Sequence, residues 1–383
     1  MTTFRRIGGI AMMAMTSHLV QPEATAQPDS WRVYIGTYTR GESEGIYRLE
    51  LNSETGALVT QGVVAETENP SFLALHPTLP VVYAVGEMSE GGAVSAFAVD
   101  AESGALSLLN AQSSEGPGPC HVAVSPDGTL VAVANYSGGN VALFPVNDDG
   151  SLAPATSVMQ HEGSSVHQRQ QNPHAHSVNF SPDGRYLFAA DLGIDKMMIY
   201  RVEGDALSPN EPPHAELAPG AGPRHFAFHP NGAFAYAVNE LDNTVTAFSY
   251  DTENGALETI QSVGTLPDDF DESNTTAEIR VHPSGRFLYA SNRGHDSIAV
   301  FSVDAESGRL SPLGQTSTQG QTPRNFNLDP SGQWLLAANQ ASGSVVVFAI
   351  DAETGALTPS GHSLEAPTPV CVLFVPAGHP AAE

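Results

Sequence analysis

Residues Gly222–Glu240 read GPRHFAFHPNGAFAYAVNE. Apolar residues alternate on either side of Pro230-Asn231-Gly232, a pattern that predicts two antiparallel strands joined by a tight turn. Proline fixes φ and glycine supplies a positive one, so the turn has a chemical cause. The ends of the hairpin are charged. Arg224 and His225 open it and Glu240 closes it, and an antiparallel pair brings those ends together.

The unit recurs. PSFLALHPTLPVVYAVGE, PCHVAVSPDGTLVAVANY, AHSVNFSPDGRYLFAADL, TAEIRVHPSGRFLYASNR and PRNFNLDPSGQWLLAANQ are further copies, and PVCVLFVPAG near the C-terminus begins one more and stops. The shared prolines are Pro77, Pro126, Pro182, Pro230, Pro283, Pro330 and Pro376, spaced 49, 56, 48, 53, 47 and 46 residues apart. A period near 50 with short alternating strands predicts an all-β, seven-bladed β-propeller of four-stranded antiparallel blades. Within a unit, strand a precedes the Pro-x-Gly turn and strand b follows it. Strand c is a run such as TVTAFSYD, and strand d follows an acidic turn such as DAETGAL. The half-unit missing at the C-terminus stands at the other end, where WRVYIGTYT reads as b and GIYRLELN as c. The ring is therefore expected to close by pairing residues 369–376 with a strand near 32–38, leaving no open sheet edge.

Composition narrows the function classes. The chain of 383 residues carries 42 acids against 15 bases, a formal charge of −27. Such a surface repels nucleic acid and anionic membranes, so neither is an expected partner. Only Lys196 is a lysine; the other bases are arginines. Residues 1–26 read as a signal peptide, with Arg5-Arg6, an apolar stretch and an Ala24-x-Ala26 cleavage pattern before Gln27. Residues 27–383 are then one propeller domain, periplasmic or secreted, with a cytoplasmic location as the alternative. Cys120 and Cys371 both fall in apolar strand patterns and read as buried free thiols rather than a disulfide framework.

The start of strand a and the end of strand b share one face of the ring, at the mouth of the central channel. Collected over the blades, that rim holds Glu87, His121, Tyr136, His176, Arg224, His225, Glu240, Glu278, Arg293 and Arg324. The Asn at the ends of several b strands reads as structural, capping the b–c turn. Three arginines on one rim of so acidic a protein point instead to a site for an anionic small molecule. Two long segments, 159–175 and 266–276, reach the same face and could wall it. His174 and His176 have metal-ligand spacing, but no further ligand set completes a shell, so no metal or cofactor is expected.

These repeats resemble the seven-bladed lactonase family, which includes propeller-type 6-phosphogluconolactonases and fungal carboxymuconate lactonising enzymes. GTYT, NPSFLALHP, ANYSGGNVALFPV, HAHSVNFSPDG and GPRHFAFHPNGAFAYAVNE carry the resemblance over about residues 31–376. It implies catalytic roles for His176, Arg224, Glu240 and Arg293. Arg324, His121, His225, Glu87 and Tyr136 remain as substrate-binding candidates. The expected activity is hydrolysis of a sugar-derived, anionic lactone by base-activated water, with His176 or Glu240 as the base. A muconate-type cycloisomerase and a non-catalytic binding propeller are the alternatives.

Overall fold

The computed structural model describes residues 1, 2 and 28–375. The signal peptide expected at residues 1–26 lies outside the described residues apart from the first two. Among the described residues there is no helix long and apolar enough to cross a membrane.

Seven four-stranded antiparallel sheets follow one another around a ring. Blade 1 takes strand a from the C-terminus, Pro369–Val375, and strands b, c and d from Ser30–Thr37, Gly45–Asn52 and Leu58–Glu66. The closing pair runs from Arg32↔Val375 to Thr37↔Pro369, as the split repeat predicts. The other blades are continuous in sequence. Two depart from the regular unit. Blade 2 has an inner strand of only Leu73–Leu75, and blade 3 has an outer strand of only Ser157–Gln160.

Strand b is buried along its whole length in most blades, because both of its faces meet a neighbouring sheet. Apolar side chains therefore gather between blades. Tyr236 and Val238 of blade 5, for example, pack with Ile279, Leu288 and Phe301 of blade 6. Strand d alternates toward solvent. The turn glycines Gly128, Gly184, Gly232, Gly285 and Gly332 have φ of 77°, 72°, 72°, 72° and 75°, the left-handed region that favours glycine.

Polar latches repeat between blades. His229 Nε2 donates to Gly285 O at 2.8 Å and His282 Nε2 to Gly332 O at 2.9 Å, while each ring's Nδ1 accepts a turn amide. These histidines are saturated by the turn they stabilise. Tyr34, Tyr83, Tyr236 and Tyr289 donate to a glycine carbonyl in the c–d turn of the next blade, at 2.8–3.1 Å. Of the strand-b asparagines, Asn239 bonds across its own b–c turn to Thr244, and to Thr246 beyond it, whereas Asn135 and Asn339 donate instead to Ser114 O and Thr318 O, just past the outer strand of the preceding blade.

Six blades share one irregularity. Strand a gains an extra residue at its start: Cys120, His176, Arg224 and Arg324 each stand unpaired between two paired neighbours, and Val370 does so in blade 1. In blade 6, Ala277 and Glu278 together oppose Ser291. Such bulges re-aim side chains.

Deleting residues 366–383 removes the inner partner of Ser30–Thr37 and should abolish cooperative unfolding, followed by circular dichroism in urea. A truncated chain that unfolds with an unchanged midpoint would refute closure as the stabilising step.

Candidate active site

The bulges sort the rim into two layers. The bulged residues Cys120, His176 and Arg324 line a cavity of about 370 Å³ at the channel mouth, together with Glu87, Tyr136, Glu240, Arg293, Arg169 and Thr275. The residues that follow the bulges point down the channel. His121 and His225, expected to bind substrate, are not on the cavity wall. His121 stacks on Phe72 with ring centroids 4.0 Å apart and meets His225 edge-on at 5.2 Å. His225 spends both nitrogens, on Arg224 and on Glu278. The period-2 reading treated the first two residues of strand a as one tip; the extra residue separates them.

Glu240 is the centre of the upper layer. It is 4% exposed and follows strand b of blade 5. Arg224 Nε donates to its Oε2 at 3.0 Å, Arg293 Nη2 lies 3.1 Å from the same oxygen, and Arg169 Nη1 donates to Oε1 at 2.6 Å. Burial alone would raise its pKa, but Arg293, Arg224 and Arg169 outweigh it and bring Glu240 down to about 2. Arg224 does not line the cavity. It sits behind Glu240, 2% exposed, with Nη1 shared between Ala277 O at 2.7 Å and His225 Nε2 at 3.1 Å. Accepting from Arg224 leaves the His225 proton on Nδ1, which faces Glu278 Oε1 at 3.0 Å.

Arg293 is lowered to about 9, first by burial and then by Arg224 and Arg324, with Glu240 opposing. It is a cation at neutral pH. Arg324 has no carboxylate within ion-pair distance among the described residues; its Nη2 donates to Tyr38 OH at 2.9 Å. Tyr38 in turn donates to Glu87, which Ser71 also binds. Four arginines thus surround two carboxylates.

His176 is 5% exposed and meets Tyr136 and His225 edge-on at 5.4 Å. Its Nδ1 lies 3.8 Å from Cys120 Sγ, and its Nε2 has no hydrogen-bond partner among the described residues. Burial, then the Arg224, His225 and Arg324 charges, hold its pKa well below the ordinary value, so the ring is neutral. The Cys120 thiol donates to His176 O at 3.2 Å, and burial pushes its pKa up, so it is a poor nucleophile. His174 is occupied by Tyr136, stacked on its ring at 4.4 Å and bonded to its carbonyl. No three His, Cys, Asp or Glu among the described residues gather where they could hold a metal ion.

Arg169 escaped the sequence reading. The 159–175 segment was traced to this face, but no periodicity marks which of its side chains turns inward. Arg169 bonds Tyr136 OH as well as Glu240.

The acid response follows. Glu240 and Glu278, each held at about 2 from 4.5, contribute stability that is complete above 4.5 and lost as pH falls toward 2. His176, His121 and His225, lowered from 6.5, act in the same direction from about 6.5 downward. Unfolding free energy should therefore fall from pH 7 to pH 3. Glu240→Gln should be less stable at pH 7 and show a shallower fall below pH 4.5, by urea denaturation at stepped pH. An equal slope in both proteins would contradict the charge assignment at Glu240.

With this geometry in place, comparison with known proteins identifies the relatives. The family model of the seven-bladed β-propeller lactonases matches residues 32–374. The Bacillus subtilis 6-phosphogluconolactonase is 43% identical over 293 residues, covering 76% of this chain and 83% of its own. A Formosa agariphila 6-phosphogluconolactonase is 36% identical over 77% of this chain and 85% of its own. The solved structure of the Pseudomonas aeruginosa periplasmic gluconolactonase superposes with a TM-score of 0.87 at 36% identity, covering 92% of this chain and all of that one.

Proposed function

We propose that this chain, which belongs to the seven-bladed β-propeller lactonase family, hydrolyses an anionic sugar lactone, the phosphorylated gluconolactone of its named relatives being the first substrate to try. The observation that carries the chemistry is His176: a neutral imidazole on the cavity wall, its Nε2 unbonded among the described residues, beside a cluster of arginines.

Ring opening needs water delivered to a carbonyl carbon and charge compensation for the oxyanion that forms. His176 takes a proton from the attacking water as the new C–O bond forms. Arg293, on the same wall and cationic, faces the developing oxyanion. When the tetrahedral species collapses, the ring C–O bond breaks and His176 returns the proton to the leaving alkoxide, giving the hydroxy acid. Glu240, the other candidate base, is a poor one, because three guanidinium groups stabilise its charged form. Its role is to hold Arg224, Arg293 and Arg169 in place. Arg324 has donors not committed to any carboxylate, which suits capture of a substrate phosphate or carboxylate.

His176→Ala should lower kcat by roughly 10²–10⁴-fold if it is the base. Arg324→Ala should raise KM for 6-phosphogluconolactone far more than for unphosphorylated gluconolactone. Both are read by pH-stat titration of acid release. Near-normal kcat in His176→Ala would sink the base assignment, and an equal KM change for both lactones would remove Arg324 as the anion contact.

The N-terminal pattern, together with a relative named as periplasmic, supports export with cleavage before Gln27. N-terminal sequencing of the protein isolated from its native host should begin at or near Gln27. A start at Met1 or Thr2 would argue for a cytoplasmic enzyme.

A further inference from the structure

Of the arginines that grip Glu240, Arg169 lies in a loop and Arg224 at the start of strand a of blade 5, and the segments that lead to both meet at Asp195. Five b–c turns have the same length, closing on the pairs Asn135↔Asn140, Asp191↔Lys196, Asn239↔Thr244, Asn292↔Ser297 and Asn339↔Ser344. The fourth loop residue always has positive φ. Glycine takes it in blades 3 and 7, as Gly139 at 62° and Gly343 at 61°. Blades 4, 5 and 6 have Asp195, Asn243 and Asp296 there, at 54°, 58° and 52°, a conformation a β-carbon makes less favourable.

Asp195 is 4% exposed and its carboxylate receives four hydrogen bonds. Oδ1 accepts from Gln170 Nε2 and from Gly222 N, both at 2.7 Å. Oδ2 accepts from Ser165 Oγ and from Gly220 N, the latter at 2.7 Å. Ser165 and Gln170 bracket Arg169. Gly220 and Gly222 lead directly into Pro223 and Arg224. Gln170 is itself fully buried, with its Nε2 also on Leu192 O at 2.8 Å and its Oε1 accepting from His167 N. One carboxylate therefore fixes both segments that carry arginine to Glu240, without touching the cavity.

We propose that Asp195 is a positioning residue for the lactonase site, a buried clamp that sets Arg169 and Arg224 against Glu240. The inference rests on the proposed hydrolysis for its kinetic consequence but not for its structural one.

Asp195→Gly is the informative variant, since glycine suits the turn and the fold should survive with a modest shift in Tm. Without the carboxylate, the Arg169 segment loses its anchor, and misplacement of site groups by about 1 Å should cost roughly 10²-fold in kcat/KM. Asp195→Asn, which keeps one acceptor oxygen and tolerates the turn, should fall between. If the clamp acts through Arg169, the double variant Asp195→Gly/Arg169→Ala should lose less than the product of the two single losses. Hydrogen exchange reads the clamp without any substrate. Amides of Ser165 and Gln170 should lose protection in Asp195→Gly while those of the blade 4 strand around Phe188 keep theirs. Unchanged protection at Ser165 and Gln170 would overturn the proposal whether or not a lactone is hydrolysed. Full activity of Asp195→Gly, or strictly multiplicative losses in the double variant, would overturn the positioning role while leaving the hydrolase reading intact.

Discussion

One extra residue at the start of an inner strand decides what this ring can do. A strand in strict alternation sends every second side chain the same way. The channel would then present one layer of rim residues and bury the next between sheets. The bulge turns two successive residues toward the channel at different heights. Cys120, His176 and Arg324 line the cavity, and His121, His225 and Asn325 lie below it. Because the irregularity recurs in six blades, the two layers extend around most of the ring. The lower layer is a closed polar network: Glu278 accepts from Asn325 and from the Ile279 amide and faces His225, while Asn325 accepts from the Val372 amide. That network is a floor on which Arg224 rests.

Charge then follows from burial. A guanidinium with 2% exposure is tolerated only with partners close by, and Arg224 has Glu240, a carbonyl and an imidazole nitrogen. Three arginines on one carboxylate leave an excess of positive charge beside the cavity, and burial, followed by the Arg224 and Arg324 charges, keeps His176 neutral. The same cluster that could hold an anion thus adds to burial in keeping the nearest candidate base neutral. Arginine charge lowers the pKa of both groups: it keeps Glu240 ionised against burial and, second to burial, keeps His176 unprotonated.

The architecture was legible because it is written as a period. Seven prolines, a split repeat at the termini and alternating strands predicted the blade count and the closing pair. The site was legible in part. Glu240, His176, Arg293 and Arg324 fall at repeat positions that topology forces to one rim, so comparing copies exposed them. His121 and His225 were placed one layer too high, since a bulge leaves no mark on a sequence that already alternates. Arg169 and Asp195 were not legible. Arg169 lies in a segment with no counterpart in other blades. Asp195 occupies a turn position where Asp, Asn and Gly are all ordinary, and its importance lies in partners 25 to 30 residues away.

The overall acidity and the cationic cavity are reconciled by the same topology. Strand a starts and strand b ends on the site face, so the c–d turns must lie on the other. Those turns hold Asp100, Glu102, Asp251, Glu253, Asp304, Glu306, Asp351 and Glu353, four of whose carboxylates cap their own turns. Strands of six to eight residues separate the two faces, about 20–25 Å at roughly 3.3 Å per residue. Screening reduces exposed charge beyond about 8 Å at physiological salt. An anion at the channel mouth therefore meets the field of the buried arginines more strongly than that of the acidic turns. The acidic c–d turns thus do not cancel recognition at the channel mouth.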